Sequence, residues 1–397
     1  MIFNRYNLKL YEIMYLILIL LLPISSRLNI FSNISITFAI MGLIVFMFSI
    51  NFMMNKKIIL EIDKRIITVL YMFLLVNCIS YIFCDSKIEY LGIIKNMVIP
   101  ILIAFFTIVF LTSKEKLYIL FKILVYSGIL VAILNSIQMV IIFNTLGYKG
   151  IGPLGNPNYF AGILSCILPL VIYENRKNSS LLNKLILVIY IGAIILSFSK
   201  TAWIGMVISI VILSIKDIKK SVVMVPLIII FIYIFWNDIT QAFNLNYIIE
   251  DTLKGFSGGT RRLLLEVSLA MSTSNIKNFI FGVGIGNFPI NTYKYANLYS
   301  MYHPGSESHN ILTDVLTETG IIGFGLFVLL LIKIFKAIRS IKSYKCDIYM
   351  YLSIVMIQIL LYTVSHGAGR TFFYLWIFIG IAIRLRYIYK DRGTFNG

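Results

Sequence analysis

The sequence predicts an all-α membrane protein of about twelve transmembrane helices carrying one large loop on the non-cytoplasmic side. Three observations lead there. The chain has 397 residues, of which 59% are hydrophobic and only 13% charged, a balance no water-soluble domain of this size can bury. Apolar runs of roughly 17 to 25 residues, each enough helix to cross about 30 Å of hydrocarbon, recur along most of its length. A single polar interruption of some seventy residues, 237–310, lies between two of them, and a connection that long in a compact protein is usually functional.

In order, the expected spans lie near Tyr11 to Ile24, Ile34 to Met54, Ile66 to Phe83, Ile93 to Thr112, Leu117 to Phe143, Tyr159 to Tyr173 and Leu181 to Phe198. The rest lie near Thr201 to Ile215, Val222 to Trp236, Ile311 to Phe335, Ile348 to Ser365 and Thr371 to Ile383. No small-residue cleavage site follows the first run, which therefore reads as a retained helix. With the N-terminus inside, most of the 35 lysines and arginines fall in cytoplasmic connections, and both termini are expected there.

The net charge of +18 does not indicate nucleic acid. The basic residues form thin strips beside apolar runs, as topology signals and anionic-lipid contacts require. Cys78, Cys84, Cys166 and Cys346 have neither metal-site nor redox-motif spacing and read as structural thiols.

Within the long loop, Arg261-Arg-Leu-Leu-Leu-Glu-Val-Ser-Leu-Ala-Met271 reads as a short amphipathic helix capped near Ser257 or Thr260. Phe281-Gly-Val-Gly-Ile-Gly-Asn-Phe-Pro289 reads as a tight glycine-rich bend. It lacks the strand, helix and acidic partner of a dinucleotide fingerprint, and close backbone approach to a ligand is the lesser reading.

The polar residues that stand out all belong to the external side. His303, Glu307 and His309 precede the apolar helix at 311, and Asp314 and Glu318 lie four apart within its first turns. Carboxylates at that depth are costly unless paired or wetted, and they suggest a wet cavity rather than lipid. Lys200 occupies the very short turn Phe198-Ser-Lys-Thr201, Arg370 the turn after His366, and Asn156 and Asn158 the segment before the sixth span. An isolated arginine in a turn is ordinarily solvated, and a lone histidine is ordinarily structural. Cations gathered with histidines on one face nevertheless suit an anionic ligand such as a diphosphate. His309 opens a helix, whose positive end favours the neutral ring that accepts a proton. A metal centre built on His303, Glu307 and His309 matches no common zinc spacing and would sit among cations; neither metal nor cofactor is expected.

Four segments occur in one order: Gly152-Pro-Leu-Gly-Asn-Pro-Asn-Tyr-Phe-Ala-Gly162, Leu196-Ser-Phe-Ser-Lys-Thr-Ala-Trp203, Phe281-Gly-Val-Gly-Ile-Gly-Asn-Phe288, and Ser308-His-Asn-Ile-Leu with Glu318-Thr-Gly-Ile-Ile-Gly323. Over roughly 150–385 the chain resembles the O-antigen ligase and O-unit polymerase superfamily. The resemblance implies a metal-independent membrane glycosyltransferase of the lipid-donor class (GT-C type). Such an enzyme takes a glycan from undecaprenyl diphosphate to an acceptor saccharide during cell-surface polysaccharide synthesis at the bacterial inner membrane. It puts the loop histidine on His309 and the loop arginine on Arg262, with Arg261 adjacent. Two positions depart: Ser199-Lys200 replaces a serine-arginine turn, and Glu266 stands where an aromatic residue is common.

The chemistry needs an activated hydroxyl and cations on the departing diphosphate. His309 is the candidate base; Arg262, Lys200, Arg261 and Arg370 are candidate donor-binding residues. Glu307, Asp314, Glu318, Asn156, Asn158 and His303 are candidate supports. Tyr293, Tyr295, Tyr299 and Tyr302 offer sugar-stacking surfaces, although aromatic residues are common at any membrane interface. A flippase of lipid-linked sugars is the alternative, though it would place charge deep in several spans, and a non-catalytic scaffold would need no histidine ringed by cations.

Overall fold

The computed structural model describes residues 8–25, 29–31, 34–55, 61–84, 87–146, 157–197, 199–214, 258–298, 305, 307–344, 347–366 and 372–390. Helices make up nearly all of it: α1 (Leu10–Ser25), α2 (Ile36–Asn55), α3 (Lys64–Ile79), α4 (Lys87–Phe110), α5 (Lys114–Leu146), α6 (Pro157–Lys177), α7 (Leu181–Leu196) and α8 (Lys200–Ser214). After the long connection come α9 (Gly258–Thr273), α10 (Ile276–Phe281), α11 (Phe288–Tyr295), α12 (Ile311–Ser340), α13 (Ile348–His366) and α14 (Phe373–Lys390). A small antiparallel hairpin, β1 (Asn29–Phe31) with β2 (Ile34–Ser35), joins α1 to α2.

Among the described residues, five helical stretches are long and apolar enough to cross a membrane: Ile36–Met54, Lys64–Phe83, Lys114–Ile141, Ile311–Tyr344 and Ile348–His366. Four shorter apolar helices, Leu10–Ile24, Asn96–Phe110, Leu181–Leu196 and Lys200–Leu213, accompany them. The chain is a helical, multi-pass membrane protein. The span expected near Val222 to Trp236 lies outside the described residues.

Helix starts follow local chemistry. Asp63 accepts from Arg65 N–H to cap α3, Ser180 accepts from Asn183 N–H to cap α7, and Asn310 accepts from Leu312 N–H to cap α12. Pro157 opens α6, where its missing N–H costs nothing.

α14 is the axle of the bundle. Every side chain from Tyr374 to Leu385 is buried, and the helix packs on α3, α4, α12 and α13. Beside it, Gln358 of α13 donates to Gly205 O at 2.7 Å and to Ser209 Oγ at 3.0 Å on α8, while Ser165 of α6 donates to Gln358 Oε1 at 2.9 Å. This polar knot ties three helices where glycine lets the backbones close; a Cβ at Gly205 would fall 2.1 Å from Gln358 Oε1.

Contacts between helix ends sort the bundle into two faces. Lys116 Nζ, near the start of α5, meets Glu12 Oε1 of α1 at 2.6 Å. Arg176 at the end of α6 donates to Leu213 O of α8 at 2.8 Å and to Tyr351 Oη of α13 at 3.2 Å. Lys114 sits 4.5 Å over the ring of Tyr389, and Lys177 3.8 Å over that of Tyr118. Arg384 of α14 donates to Leu111 O at 2.8 Å and to Glu61 O. Lys114, Lys116, Arg176, Lys177 and Arg384 thus share one end of the bundle. At the other end Ile285 N–H donates to Ser80 Oγ at 3.2 Å, and the Phe83 and Phe281 rings stack at 4.8 Å.

Arg384, which directly follows the last expected span, is buried. Its guanidinium fastens α14 to the carbonyls at the end of α4 and just before α3. Arg384→Ala leaves those carbonyls without their charged donor and should cost about 3 kcal/mol of stability, read as a fall in the denaturation midpoint of the purified protein in detergent.

Candidate functional site

The site is built around a break in α12. Gly320 has φ 65° and ψ −171°, far from helical values, so the turn around it loses its i to i+4 bonds. The carbonyls of Thr317 and Glu318 accept instead from Val283 N–H at 2.9 Å and Gly284 N–H at 3.1 Å. The glycine run therefore completes the ladder of the broken helix. Only glycine fits the crossing: a Cβ at Gly320 would lie 2.2 Å from Ile280 O, and one at Gly282, itself at φ 78°, would lie 2.3 Å from the Glu318 carbonyl carbon. The tight bend expected of this run is present, and what approaches its backbone closely is another stretch of backbone.

Glu318 is buried. Its Oε1 accepts from Phe288 N–H at 3.2 Å, at the first turn of α11, where a carboxylate also complements the helix dipole. Asp314 accepts from Ser308 Oγ at 2.5 Å. Within the carboxylate pair for which a wet cavity is expected, one oxygen of each acid thus meets a protein donor.

From Phe288 the contacts lead outward. Its ring is buried with Leu264, Val267 and Met271 of α9, and α9 lies on α12 through Ser268 and Ser272. Ser268 Oγ bonds Thr317 Oγ1 and also reaches Thr313 O at 3.4 Å, while Ser272 Oγ donates to Thr317 Oγ1 at 3.3 Å. The contact partners advance together along the two helices, so α9 and α12 run parallel. Both N-termini point the same way, towards Arg261 and Arg262 on α9 and His309 ahead of α12. Arg262 lies six residues, about 9 Å of helix, before Ser268.

Arg261 and Arg262 are exposed. Arg262 Nε donates to Glu266 Oε1 at 2.9 Å, one turn on. Glu266, the departure from the family pattern, is thus the residue that orients Arg262. The helix begins at Gly258, so Thr260 lies inside its first turn rather than at its cap; Ser257 lies outside the described residues.

His309 is exposed and has φ 55°, the sole non-glycine residue with positive φ among those described. That conformation costs on the order of 1 kcal/mol and is held by its neighbours. Ser308 is buried beneath it, accepting from Asn310 N–H at 3.1 Å and from Thr313 Oγ1 at 3.3 Å while bonded to Asp314. The turn projects the imidazole away from the packed side. Glu307, adjoining, is exposed. Gly305 N–H donates to Thr292 Oγ1 at 2.7 Å and returns the chain onto α11.

Lys200 is the exposed first residue of α8, behind a turn braced by Ser199 N–H to Ser197 Oγ at 3.3 Å and Trp203 Nε1 to Ile194 O at 2.9 Å. Asn158 is half-buried at the start of α6. Nearby on α13, Tyr362 stacks on His366 at 4.8 Å and meets Phe372 in a tilted contact at 4.9 Å, and Phe372 meets Tyr159. The described residues therefore form two groups at one end of the bundle. Arg261, Arg262, His309, Asp314 and Glu318 belong to the α9 to α12 unit, and Lys200 and Asn158 lie with α6, α8 and α13. His303, Asn156 and Arg370 lie outside the described residues, as do Tyr299 and Tyr302. Sequence reasoning missed Ser268, Ser272, Thr317 and Ser308, small hydroxyl residues whose spacing alone carries no signal until their partners are known.

Residues 185–328 match the protein-family model described as O-antigen ligase. The match contains Lys200, Arg261, Arg262, His303, Glu307, His309, Asp314 and Glu318, together with the interlocked glycines, and it excludes Asn156, Asn158 and Arg370. No curated protein matches the chain.

The interlock makes a sharp forecast. Gly320→Ala and Gly282→Ala should each loosen the loop by about 2 kcal/mol or more, from forced φ and backbone collision, exposing 258–298 to limited proteolysis. Glu318→Gln keeps an acceptor for Phe288 and should stay protected, whereas Glu318→Ala should be cleaved faster.

Proposed function

We propose, starting from the O-antigen ligase superfamily in which the match of residues 185–328 puts this chain, that it joins a glycan carried on undecaprenyl diphosphate to a hydroxyl of an acceptor saccharide. The acceptor is a core sugar, making the protein a ligase, or another lipid-linked repeat, making it a polymerase. The observation that carries this reading is the parallel register of α9 on α12. It directs an exposed arginine pair and an exposed, conformationally strained histidine towards the same end of the bundle, opposite the lysine-rich end.

In this reading the active face is external, both termini are cytoplasmic, and the membrane is the bacterial inner membrane. His309 takes the proton of the acceptor hydroxyl as its oxygen bonds the anomeric carbon. The bond from that carbon to the diphosphate oxygen breaks, and undecaprenyl diphosphate leaves with the electron pair. Attack from the face opposite the lipid inverts the anomeric configuration. Arg262, held by Glu266, receives the developing phosphate charge together with Arg261. Lys200 and Arg370 supply further positive charge, and no metal takes part. Asn156, Asn158, His303 and Glu307 are polar groups available to sugar hydroxyls. Asp314 and Glu318 support the turn and the loop rather than the sugar.

Reconstituted full-length protein with a defined undecaprenyl-diphosphate repeat tests the assignment. His309→Ala should slow glycosidic bond formation by about 10²- to 10⁴-fold, and Arg262→Ala should slow it by about tenfold or more. Undiminished transfer in both variants would remove the catalytic assignment. Transbilayer movement of the donor with no new glycosidic bond would replace it with the flippase reading. Product length with and without a core-sugar acceptor separates ligase from polymerase.

A further inference from the structure

At the opposite end of the bundle a groove of about 470 Å³ opens between α12 and α13, lined by Ile332, Phe335, Lys336, Arg339, Lys342, Tyr349 and Ser353. Ile332, Phe335, Lys336 and Arg339 recur at the spacing of one helix face, so a single stripe of α12 passes from apolar to cationic within seven residues, about 10 Å. Lys336, Arg339 and Lys342 are exposed, and among the described residues that line the groove none is acidic. Across from them Tyr349 lies 6.0 Å beneath Lys342 Nζ. Ile332 is 43% exposed, an apolar side chain left on the wall in the body of the apolar stretch Ile311–Tyr344.

We propose that this groove is a binding site for an anionic phospholipid of the leaflet on the lysine-rich side. The acyl chains lie along Ile332 and Phe335, and the headgroup phosphate is gripped by Arg339 and Lys336 with Lys342 at the rim. Charge complementarity selects the anion, and the guanidinium fork of Arg339 suits two phosphate oxygens. The apolar half selects an amphiphile over a free ion. Scattered topology lysines need no such wall, and three basic residues elsewhere at this end pack on rings and carbonyls instead: Lys114 on Tyr389, Lys177 on Tyr118 and Arg384 on Leu111 O.

The test is native mass spectrometry of the full chain in neutral detergent, titrated separately with cardiolipin, phosphatidylglycerol and phosphatidylcholine. One anionic lipid should be retained per chain in preference to phosphatidylcholine. Arg339→Gln and Lys336→Gln should each weaken retention about tenfold, with Arg339→Lys intermediate. Lys184→Gln, at an exposed position on α7 near the same end, should leave it unchanged, and unaltered denaturation midpoints would show that the variants fold. Equal retention of phosphatidylcholine would overturn the proposal, as would equal weakening by Lys184→Gln and Arg339→Gln, or no weakening by Arg339→Gln. Displacement of the lipid by inorganic phosphate at equal concentration would do the same, by removing the apolar half of the site.

Discussion

Two glycines at a crossing of backbones, Gly282 against Glu318 and Gly320 against Ile280, hold together the end of this protein that carries His309 and the arginine pair. A helix in an apolar setting cannot leave carbonyls unpaired, because each would cost several kcal/mol. The break at Gly320 opens such carbonyls at Thr317 and Glu318, and the amides of Val283 and Gly284 close them. The loop and the membrane helix are therefore one hydrogen-bonded object. Every other contact in the region depends on that crossing: Glu318 against the first turn of α11, Phe288 against α9, and the serine and threonine register that sets the direction of α9.

Buried carboxylates fit the same logic. A carboxylate at the depth of Glu318 is tolerable only with donors, and the chain supplies a backbone N–H at a helix start, where the dipole adds to the bond. Asp314 is satisfied by a hydroxyl that in turn fixes the left-handed turn at His309. The exposed groups of this region, His309 and the Arg261–Arg262 pair, stand on elements these acids brace.

Much of this was legible in the sequence, for identifiable reasons. Apolar run length marked the helices because the bilayer fixes that length. The lysine strips marked one end, and contacts such as Lys116 with Glu12 and Arg176 with Leu213 O bring those strips together. The amphipathic helix around Arg261 and the glycine bend at 282–286 were readable from period and composition. The break in α12 was not, although Gly320 stood in a motif already singled out. A glycine in an apolar helix reads equally well as a packing position, and what decides is the partner backbone at Ile280, far back in the chain. Glu266 read as a departure from a family pattern and is instead the ion-pair partner of Arg262. Arg384 read as one more orientation charge because its acceptors, carbonyls of Leu111 and Glu61, are invisible to any pattern of side chains.

The interlock also constrains how the protein assembles. Until the glycine run docks, α12 carries unpaired carbonyls at Thr317 and Glu318, so the undocked helix is disfavoured in hydrocarbon and must keep that turn near water or fold the loop onto it. Insertion of α12 and folding of the 258–298 segment are thereby coupled in one step. An ordinary surface loop tethered at two ends would close at an entropic cost growing only slowly with its length and would stay free to open. This one is bound by the backbone pairing that α12 itself requires, so opening it would expose the broken helix as well as the loop. The arginine pair consequently rides on a helix tied to α12 rather than on a free flap.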